Sequence, residues 1–403
     1  MKTTVLMVGT GGYAGVYLQE LLYEPRAAET FEIVGAVDPY AAQGANYAEL
    51  CARNVPFYNT VAEFYEKQTA DLAIIATPIH LHAEQASACM LHGSNVLCEK
   101  PICSTMADAE KMIDARNRSG KKLGIGFQWS FSEAILDLKR DIMSGKYGTV
   151  RRIRTIVYFP RDLAYYHRGS GWAGKRFTKD GKPLLDSVAF NATAHYLHNM
   201  LFLTGPAINR AAKPATITGE VYRVNPIEMF DTCALRVRTQ AGAELLFYAT
   251  HAVPKNAYRA PEFMIEGTEG TVTLRYENGA EVLTGCCADG SVKTYDRPSA
   301  SNIRKLYVMN DAILGRTELP CEPETALPHL KCILALADLF PETPVFPGSV
   351  TQFNEKEQQY TITGLADDLD RCYRNGSLPS EEKIAWAIDA RTAPIGEGGD
   401  ASC

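Results

Sequence analysis

The sequence VLMVGTGGYAG, residues 5–15, decides the fold of the first part of the chain. Four apolar residues suited to a buried strand run directly into a glycine-rich turn, and a helical pattern follows the turn. In such a unit Gly9 permits a tight turn, Gly11 lets the backbone approach a pyrophosphate, and the small Ala14 lets helix and strand pack closely. The stretch therefore predicts a dinucleotide site formed by Gly9, Gly11, Gly12, Tyr13 and Ala14.

An acidic residue after the next apolar run supports the same interpretation. Asp38 follows the apolar segment 33–37, a place from which a carboxylate can accept hydrogen bonds from both ribose hydroxyls of a dinucleotide. Pro39 and Tyr40 come next, so no arginine stands there to pair a 2′-phosphate, which the carboxylate itself would repel. The predicted cofactor is NAD, and NADP is less favoured.

Hydrophobic periodicity predicts two domains and a tail. Strands at residues 4–8, 32–37, 72–76, 95–98 and 123–126 alternate with helices, which is typical of a parallel sheet and predicts a Rossmann domain over residues 1–127. Glycine-containing turns then join β-branched segments, which predicts an α+β domain over residues 128–391 with a large, mostly antiparallel open sheet. Helices are predicted at residues 326–340 and 355–373, and residues 392–403 are expected to be disordered.

Composition limits the partners. A net charge of −6 gives no electrostatic footprint for nucleic acid, and 46% hydrophobic and 22% charged residues are typical of a globular protein. No signal-peptide core is found, and no apolar run approaches the roughly 20 residues that span a bilayer. The chain is therefore expected to be cytoplasmic, without a membrane partner. Its 11 cysteines form no C-x-x-C pair and are expected to be reduced thiols.

Three further motifs follow in order: TPIHLHAE at residues 77–84, EKP at residues 99–101 and GKYGTV at residues 145–150. With the glycine turn, they make the chain resemble the Gfo/Idh/MocA family, which includes glucose-fructose oxidoreductase and inositol dehydrogenase, over essentially its whole length. The resemblance implies that Lys100 contacts the nicotinamide ribose and the reacting oxygen. It also implies a cis peptide before Pro101.

The same resemblance places Thr77, Pro78 and His82 on the nicotinamide side. Glu99, beside Lys100, is predicted to orient it rather than to act as an acid, and Gln128 is predicted near the cofactor because it follows the last parallel strand. Independently of the resemblance, a lysine that emerges after a buried strand can stabilise a developing alkoxide.

The substrate side is predicted around NATAHYLHN, residues 191–199, where a helix would bring Asn191 and His195 onto one face with His198 or Asn199. His195 is the predicted acid/base, because an imidazole titrates near neutrality and can accept an alcohol proton as hydride leaves. The family usually has aspartate where this chain has Asn191, and an amide cannot carry that proton. Asp186 either compensates or caps the following helix, and both interpretations stay open.

A loop dense in aromatic and basic side chains is the predicted carbohydrate surface. It contains Arg161, Tyr165, Tyr166, His167, Arg168, Trp172 and Lys175. Such residues supply faces for sugar C–H groups and forked donors for hydroxyls or acidic groups, although they are also enriched at subunit interfaces. Trp129, directly after the last parallel strand, is predicted to lie with Gln128 at the cleft between the domains and to contact substrate there. A homodimer or homotetramer is expected. The histidine pairs 195/198 and 80/82 lack a third ligand, so no metal site is predicted.

Together these features predict an NAD-dependent oxidoreductase that transfers hydride between nicotinamide and a secondary alcohol of a sugar, glycoside or cyclitol. Lys100 and His195 would be its working pair. Two alternatives stay open. One is a redox-neutral glycosidase or lyase that oxidises a sugar transiently, eliminates a group and reduces the ketone again. The other is a nucleotide-sensing protein without enzymatic activity.

Overall fold

The chain separates into two compact units. The computed structural model describes residues 2–168 and 171–396. One unit comprises Met1–Phe131 with Ser301–Leu327, and the other comprises Ser132–Ala300 with Pro328–Cys403. The first unit is therefore discontinuous in sequence. The expected division into residues 1–127 and 128–391 does not include this return of residues 301–327 to the first unit.

The first unit contains a sheet of six parallel strands, β1 (Thr3–Val8), β2 (Phe31–Val37), β3 (Phe57–Tyr58), β4 (Leu72–Ile75), β5 (Asn95–Cys98) and β6 (Leu123–Ile125). They lie in the order β3-β2-β1-β4-β5-β6. The residues of β4 are all buried, as expected for a parallel strand covered on both faces. The order reverses between β1 and β4, and ligands of open α/β sheets bind at this reversal, beyond the carboxyl ends of the strands.

Six helices connect these strands: α1 (Ala14–Tyr23), α2 (Pro25–Thr30), α3 (Tyr47–Ala52), α4 (Val61–Tyr65), α5 (His82–Leu91) and α6 (Met106–Ser119). Thr60 and Thr105 cap α4 and α6 by accepting a hydrogen bond from the backbone N–H three residues later. Local capping and the alternation of strands with helices therefore explain most of this unit.

The remaining helices are α7 (Glu133–Met143), α8 (Leu163–His167), α9 (Ala194–Leu203), α10 (Arg304–Ile313), α11 (Pro323–Leu339) and α12 (Leu365–Asn375). The remaining strands are β7 (Val150–Tyr158), β8 (Pro214–Tyr222), β9 (Thr232–Thr239), β10 (Glu244–Thr250), β11 (Arg259–Gly267), β12 (Gly270–Glu277), β13 (Ala280–Cys287), β14 (Val292–Tyr295), β15 (Thr351–Asn354), β16 (Gln359–Ile362) and β17 (Arg391–Pro394). α10 belongs to the first unit.

The large sheet of the second unit has nine strands in the order β14-β13-β12-β11-β7-β10-β9-β8-β17. Only the β7–β10 pair is parallel among the described strands of this sheet, and the others are antiparallel. Tyr222, Leu246 and Tyr248 of the sheet pack with Leu369 of α12 and with Trp386 in one buried core. The predicted fold class, a Rossmann domain followed by an α+β domain with a large, mostly antiparallel sheet, is confirmed.

Two local predictions are wrong. Residues 355–373 are not one helix, because a turn and the strand β16 occupy residues 355–362 before α12 begins at Leu365. The strand β17, residues 391–394, pairs with β8. It includes the first three residues of the tail that was expected to be disordered from residue 392. Residues 397–403 of that tail lie outside the described residues. Among the described helices, none has both the length and the apolar composition that a bilayer span requires.

Candidate active site

The glycine turn lies at the carboxyl end of β1 and leads into α1. Gly9 has a φ of +87°, and a Cβ there would lie 2.9 Å from the backbone oxygen of Ala76, so only glycine fits the tight turn. A Cβ on Gly11 would meet no atom within 4 Å. The space above Gly11 is therefore open to a ligand at the N-terminus of a helix, which favours a phosphate group.

Asp38 lies directly after β2 and is fixed by the turn that it faces. Its Oδ2 accepts hydrogen bonds from the backbone N–H and the hydroxyl of Thr10 at 2.9 and 2.7 Å, and its Oδ1 accepts one from the backbone N–H of Tyr40 at 2.9 Å. These bonds hold the carboxyl group at the end of the second strand, the place where a dinucleotide ribose is bound. Together, Gly11 and Asp38 fit the cofactor NAD. The role of Thr10 was not predicted.

A buried ion pair holds Glu99, the first residue of the EKP segment. Lys305 of α10 donates to Oε1 of Glu99, and the same oxygen accepts from the Tyr17 hydroxyl at 2.6 Å. The Lys305 side chain is fully buried and that of Glu99 is 7% exposed. Burial, followed by the Glu99 charge, raises the pKa of Tyr17, so this hydroxyl stays a donor. Glu99 is thus anchored by both neighbours.

Lys305 also connects this pair to the glycine turn. Its ammonium lies 3.3 Å from the Tyr13 hydroxyl, which in turn donates to Oε1 of Gln128 at 3.2 Å. Sequence reasoning missed Lys305. The available signal was a lysine on the apolar face of a helix, since Lys305, Leu306, Met309 and Ala312 are all buried.

Lys100 follows Glu99 and is half-buried. The Lys100–Pro101 peptide is cis, which confirms that expectation, and the Lys100 backbone N–H lies 3.3 Å from Glu99 Oε2. The carboxyl end of β5 therefore carries a lysine whose backbone is held by an anchored glutamate.

His82 holds the backbone of two site loops. Its Nδ1 lies 2.9 Å from the Pro101 carbonyl and its Nε2 lies 2.9 Å from the Thr77 carbonyl. Burial lowers the pKa of His82. The ring is 1% exposed, so its two hydrogen bonds connect the backbone at Thr77 to the backbone at Pro101 within the protein interior. Thr77, Pro78 and Gln128 are half-buried, while Trp129 is 1% exposed.

In the second unit, Asp186 and Asn191 form a fixed pair. Asn191 donates from Nδ2 to Asp186 Oδ1 at 2.8 Å, and Asp186 Oδ2 accepts from the Gly174 backbone N–H at 2.6 Å. Asn191 lies in a turn, and α9 begins three residues later at Ala194, so the predicted helical spacing from Asn191 to His195 is wrong. Asp186 does not cap α9, whose N-terminus has no side-chain cap. The interpretation that Asp186 compensates for the family aspartate stays a prediction.

The two histidines of α9 have different surroundings. His195 is in the first turn of α9 and 8% exposed. His198 is fully buried and stacked on Phe202, and burial lowers its pKa well below the ordinary value, with the charge of Lys139 adding to this. His198 is a core residue, whereas His195 retains an edge to solvent. Among the described residues no group of three or more metal-ligating side chains occurs.

The aromatic and basic loop forms one stacked cluster. The guanidinium of Arg168 lies 3.6 Å from the ring centre of Tyr165 and 4.7 Å from that of Trp172, and the guanidinium of Arg161 lies 4.6 Å from that of Tyr165. Tyr166 is buried, and its hydroxyl lies 2.9 Å from Nδ1 of His251. His167 is exposed. His251, which the sequence analysis did not single out, follows the wholly buried strand β10.

The strand order, the open glycine turn and the fixed Asp38 define a Rossmann-type nucleotide-binding protein. Residues 3–127 match the profile described as an oxidoreductase family with an NAD-binding Rossmann fold, and residues 135–273 match the GFO/IDH/MocA C-terminal domain. The chain belongs to the GFO/IDH/MocA family of oxidoreductases.

The names of several relatives of this chain indicate enzymes that act on sugars or cyclitols. The 1,5-anhydro-D-fructose reductase of Ensifer adhaerens is 26% identical over 264 residues, 62% of this chain and 75% of the relative. Inositol 2-dehydrogenase 1 of Saccharopolyspora erythraea is 28% identical over 41% of this chain and 49% of its own length. The match thus spans about half of that second relative.

Solved structures share the fold. The WlbA dehydrogenase from Bordetella pertussis, crystallised with NADH and UDP-GlcNAcA, has a TM-score of 0.67 at 20% identity, covering 84% of this chain and 96% of that one. The aldose-aldose oxidoreductase from Caulobacter crescentus, crystallised with glycerol, has a TM-score of 0.63 at 20% identity, covering 84% and 97%. This likeness confirms the architecture of both units.

Proposed function

We propose that the protein transfers hydride between NAD and a secondary alcohol of a sugar, glycoside or cyclitol. The observation that carries the proposal is Lys100 at the carboxyl end of β5, on a backbone held by the anchored Glu99. Ligands of such sheets bind beyond these strand ends. The names of the curated relatives support a polyol as the substrate class.

The cofactor, when bound, accepts or supplies the hydride. The chain's own groups manage the charge and the proton. We assign to the Lys100 ammonium the stabilisation of negative charge on the alcohol oxygen, and to the His195 imidazole the uptake of the hydroxyl proton. Asn191, held by Asp186, would orient a hydroxyl through its amide. In this scheme Glu99 and His82 position backbone, and neither exchanges a proton with substrate.

The test follows reduced-nicotinamide absorbance with purified protein, NAD and a panel of hexoses, glycosides and cyclitols. We expect K100M and H195N each to lower kcat by roughly 10²- to 10⁴-fold. H195N should leave the Kd for NAD within about threefold, because His195 is assigned to the alcohol alone, whereas K100M should also weaken NAD, since Lys100 is expected to contact the nicotinamide ribose. H92N, a change at an exposed histidine, is the matched control. Silence of the wild type across the panel, or full activity of both variants, would refute the assignment.

A second candidate is the redox-neutral cleavage of a glycoside through transient oxidation. The observation that favours it is that Asn191 occupies the position of the family aspartate and is engaged by Asp186. Release of aglycone from a glycoside at constant reduced-nicotinamide absorbance would select this reaction.

The oligomeric state and a cytoplasmic location stay predictions, which light scattering and cell fractionation can check.

A further inference from the structure

Two arginines in the second unit have no acidic partner among the described residues. No ion pair joins Arg161 or Arg168 to a carboxylate of the described residues. Arg161 donates to the carbonyl of Pro160 and also bonds to the Tyr165 hydroxyl, and Arg168 donates to the carbonyl of Tyr165. The Nε of Arg161 is buried and has no hydrogen-bond partner in the described part of the chain. Both side chains are half-buried. A partly desolvated guanidinium with open donors favours an anion that fits its fork.

The rings around the guanidiniums fix their direction. Tyr165 lies against both of them, and Trp172 lies against Arg168. Such stacking leaves the edges of a guanidinium, which carry its N–H groups, available for hydrogen bonds. The two forks are therefore held in place before any ligand arrives, and a preorganised site loses less entropy on binding.

A third polar group, His251, belongs to the same cluster. Burial, and then the charges of Arg161 and Arg168, lower its pKa well below the ordinary value, so the ring is neutral. If the Tyr166 hydroxyl donates to Nδ1, the ring proton lies on Nε2. That atom is buried, and none of the described residues bonds to it. Buried polar atoms of this kind nearly always have a partner in folded proteins, which points to a ligand or water.

The acidic groups that act on this cluster already have partners of their own. Asp186, which together with burial raises the pKa of Tyr165, bonds to Asn191 and to the Gly174 backbone. Asp231 is fully buried and accepts hydrogen bonds from Val224, Asn225 and Thr232. Neither carboxylate forms an ion pair with Arg161 or Arg168, so the forks remain open to an external charge.

We infer that Arg161 and Arg168 bind an anionic substituent of the substrate, a carboxylate or a phosphate, with His251 as a neutral donor beside them. The inference rests on the proposed function for the rest of the substrate and narrows it from neutral polyols to acidic sugars. Since the two anions share the same recognition by guanidinium forks, experiment has to distinguish them.

The test compares D-glucose, D-glucuronate and D-glucose 6-phosphate, which share a hexose ring and differ at one carbon. Calorimetry measures the affinity of the NAD-saturated wild type for each, and absorbance measures turnover. We expect at least one anionic sugar to bind roughly 10- to 100-fold more tightly than glucose, as charge-assisted hydrogen bonds imply. The tighter of the two anions identifies the source of the charge.

Variants then assign the preference to these residues. R161M and R168M should each remove about tenfold of it or more, through KM rather than kcat, and R161K should retain part of it. R151M, at an exposed arginine of β7, should keep the full preference. Higher salt should weaken anion binding by the wild type, a measurement that does not depend on any variant folding.

The outcomes separate this inference from the proposed function. The anion site is refuted if glucose binds as tightly as both anionic sugars. It is also refuted if the preference for anionic sugars persists in R161M and R168M, or if anion binding does not weaken at higher salt. A preference that these variants abolish supports the site even if no sugar is oxidised, and in that case only the proposed hydride transfer fails. If the protein oxidises glucose but shows no preference for anionic sugars, the proposed hydride transfer stands and the anion site fails.

Discussion

The buried Lys305–Glu99 pair permits a quantitative prediction. In K305M, the Glu99 carboxylate keeps the Tyr17 hydroxyl and loses its only charged partner among the described residues. Removing one member of a buried ion pair typically costs about 3–5 kcal/mol, because the remaining charge stays desolvated. We therefore expect the free energy of unfolding of the first unit to fall by about 3–5 kcal/mol in K305M.

The double variant E99Q/K305M provides the decisive comparison. Removing both charges should recover about 2 kcal/mol or more of that loss, because the uncompensated charge has gone. K111M, at a lysine that is 71% exposed and paired with Asp108 on the surface, is the matched control and should change stability by no more than about 1 kcal/mol.

The assay is urea denaturation combined with hydrogen exchange of peptides that cover residues 95–101. Exchange there reports opening of β5 and the EKP segment, so it assigns the loss to the first unit. K305R serves where K305M does not fold, since it keeps the charge. If K305M is as stable as the wild type, or if the double variant is no more stable than K305M, the ion pair does not have the role assigned to it.

Further predictions concern the cofactor and pH. G9A should lower the free energy of unfolding by about 1–3 kcal/mol, because Gly9 has a positive φ and a Cβ there would contact Ala76. G11A should change the free energy of unfolding by no more than about 0.5 kcal/mol but raise the Kd for NAD about tenfold or more. Thermal unfolding and calorimetry measure the two quantities, and equal effects of G9A and G11A on stability and on NAD affinity would contradict this. D38R should raise kcat/KM for NADP relative to NAD, and D38N should weaken NAD without helping NADP; an unchanged cofactor ratio in D38R would refute the ribose contact. Burial lowers the pKa of His82, His198 and His251. These rings therefore stay neutral in the folded protein at a pH near 6.5, where the unfolded chain binds protons on them. Their contribution to stability is therefore complete above that pH and is lost as pH falls toward their folded pKa values, by at most about 1.4 kcal/mol per pH unit for each ring. Denaturation between pH 7.5 and 5 should show this slope, smaller in H198N and unchanged in H92N, and a flat profile would exclude it.

The first unit was largely predictable because its signals are local. Residues 5–15 contain strand, turn and helix start within one stretch, and Asp38 directly follows the next strand. β3 has only two residues, too few for a periodic pattern, and was missed. Lys305 lies 206 residues from Glu99, and no local rule connects residues so far apart.

The second unit shows where local rules fail. The hairpin of β15 and β16 precedes α12 closely, and a helical pattern drawn across both gave the wrong helix at residues 355–373. Asn191 has helical spacing to His195 but lies in a turn that Asp186 holds. Trp129 was expected to bind substrate because it directly follows the last parallel strand, yet its side chain is buried. In each case, tertiary contacts decided what the pattern could not.

The discontinuity of the nucleotide-binding unit has a consequence for biosynthesis. A ribosome releases all six strands of its sheet long before it releases α10, which supplies Lys305 to Glu99 and Asn310 to Thr3. During that interval Glu99 lacks the lysine that pairs with it in the folded protein, and we expect a fragment ending at Phe131 to bind chaperones or to be degraded. Synthesis of residues 301–327 would then complete the unit, so that the last part of its chain to emerge controls when it becomes stable.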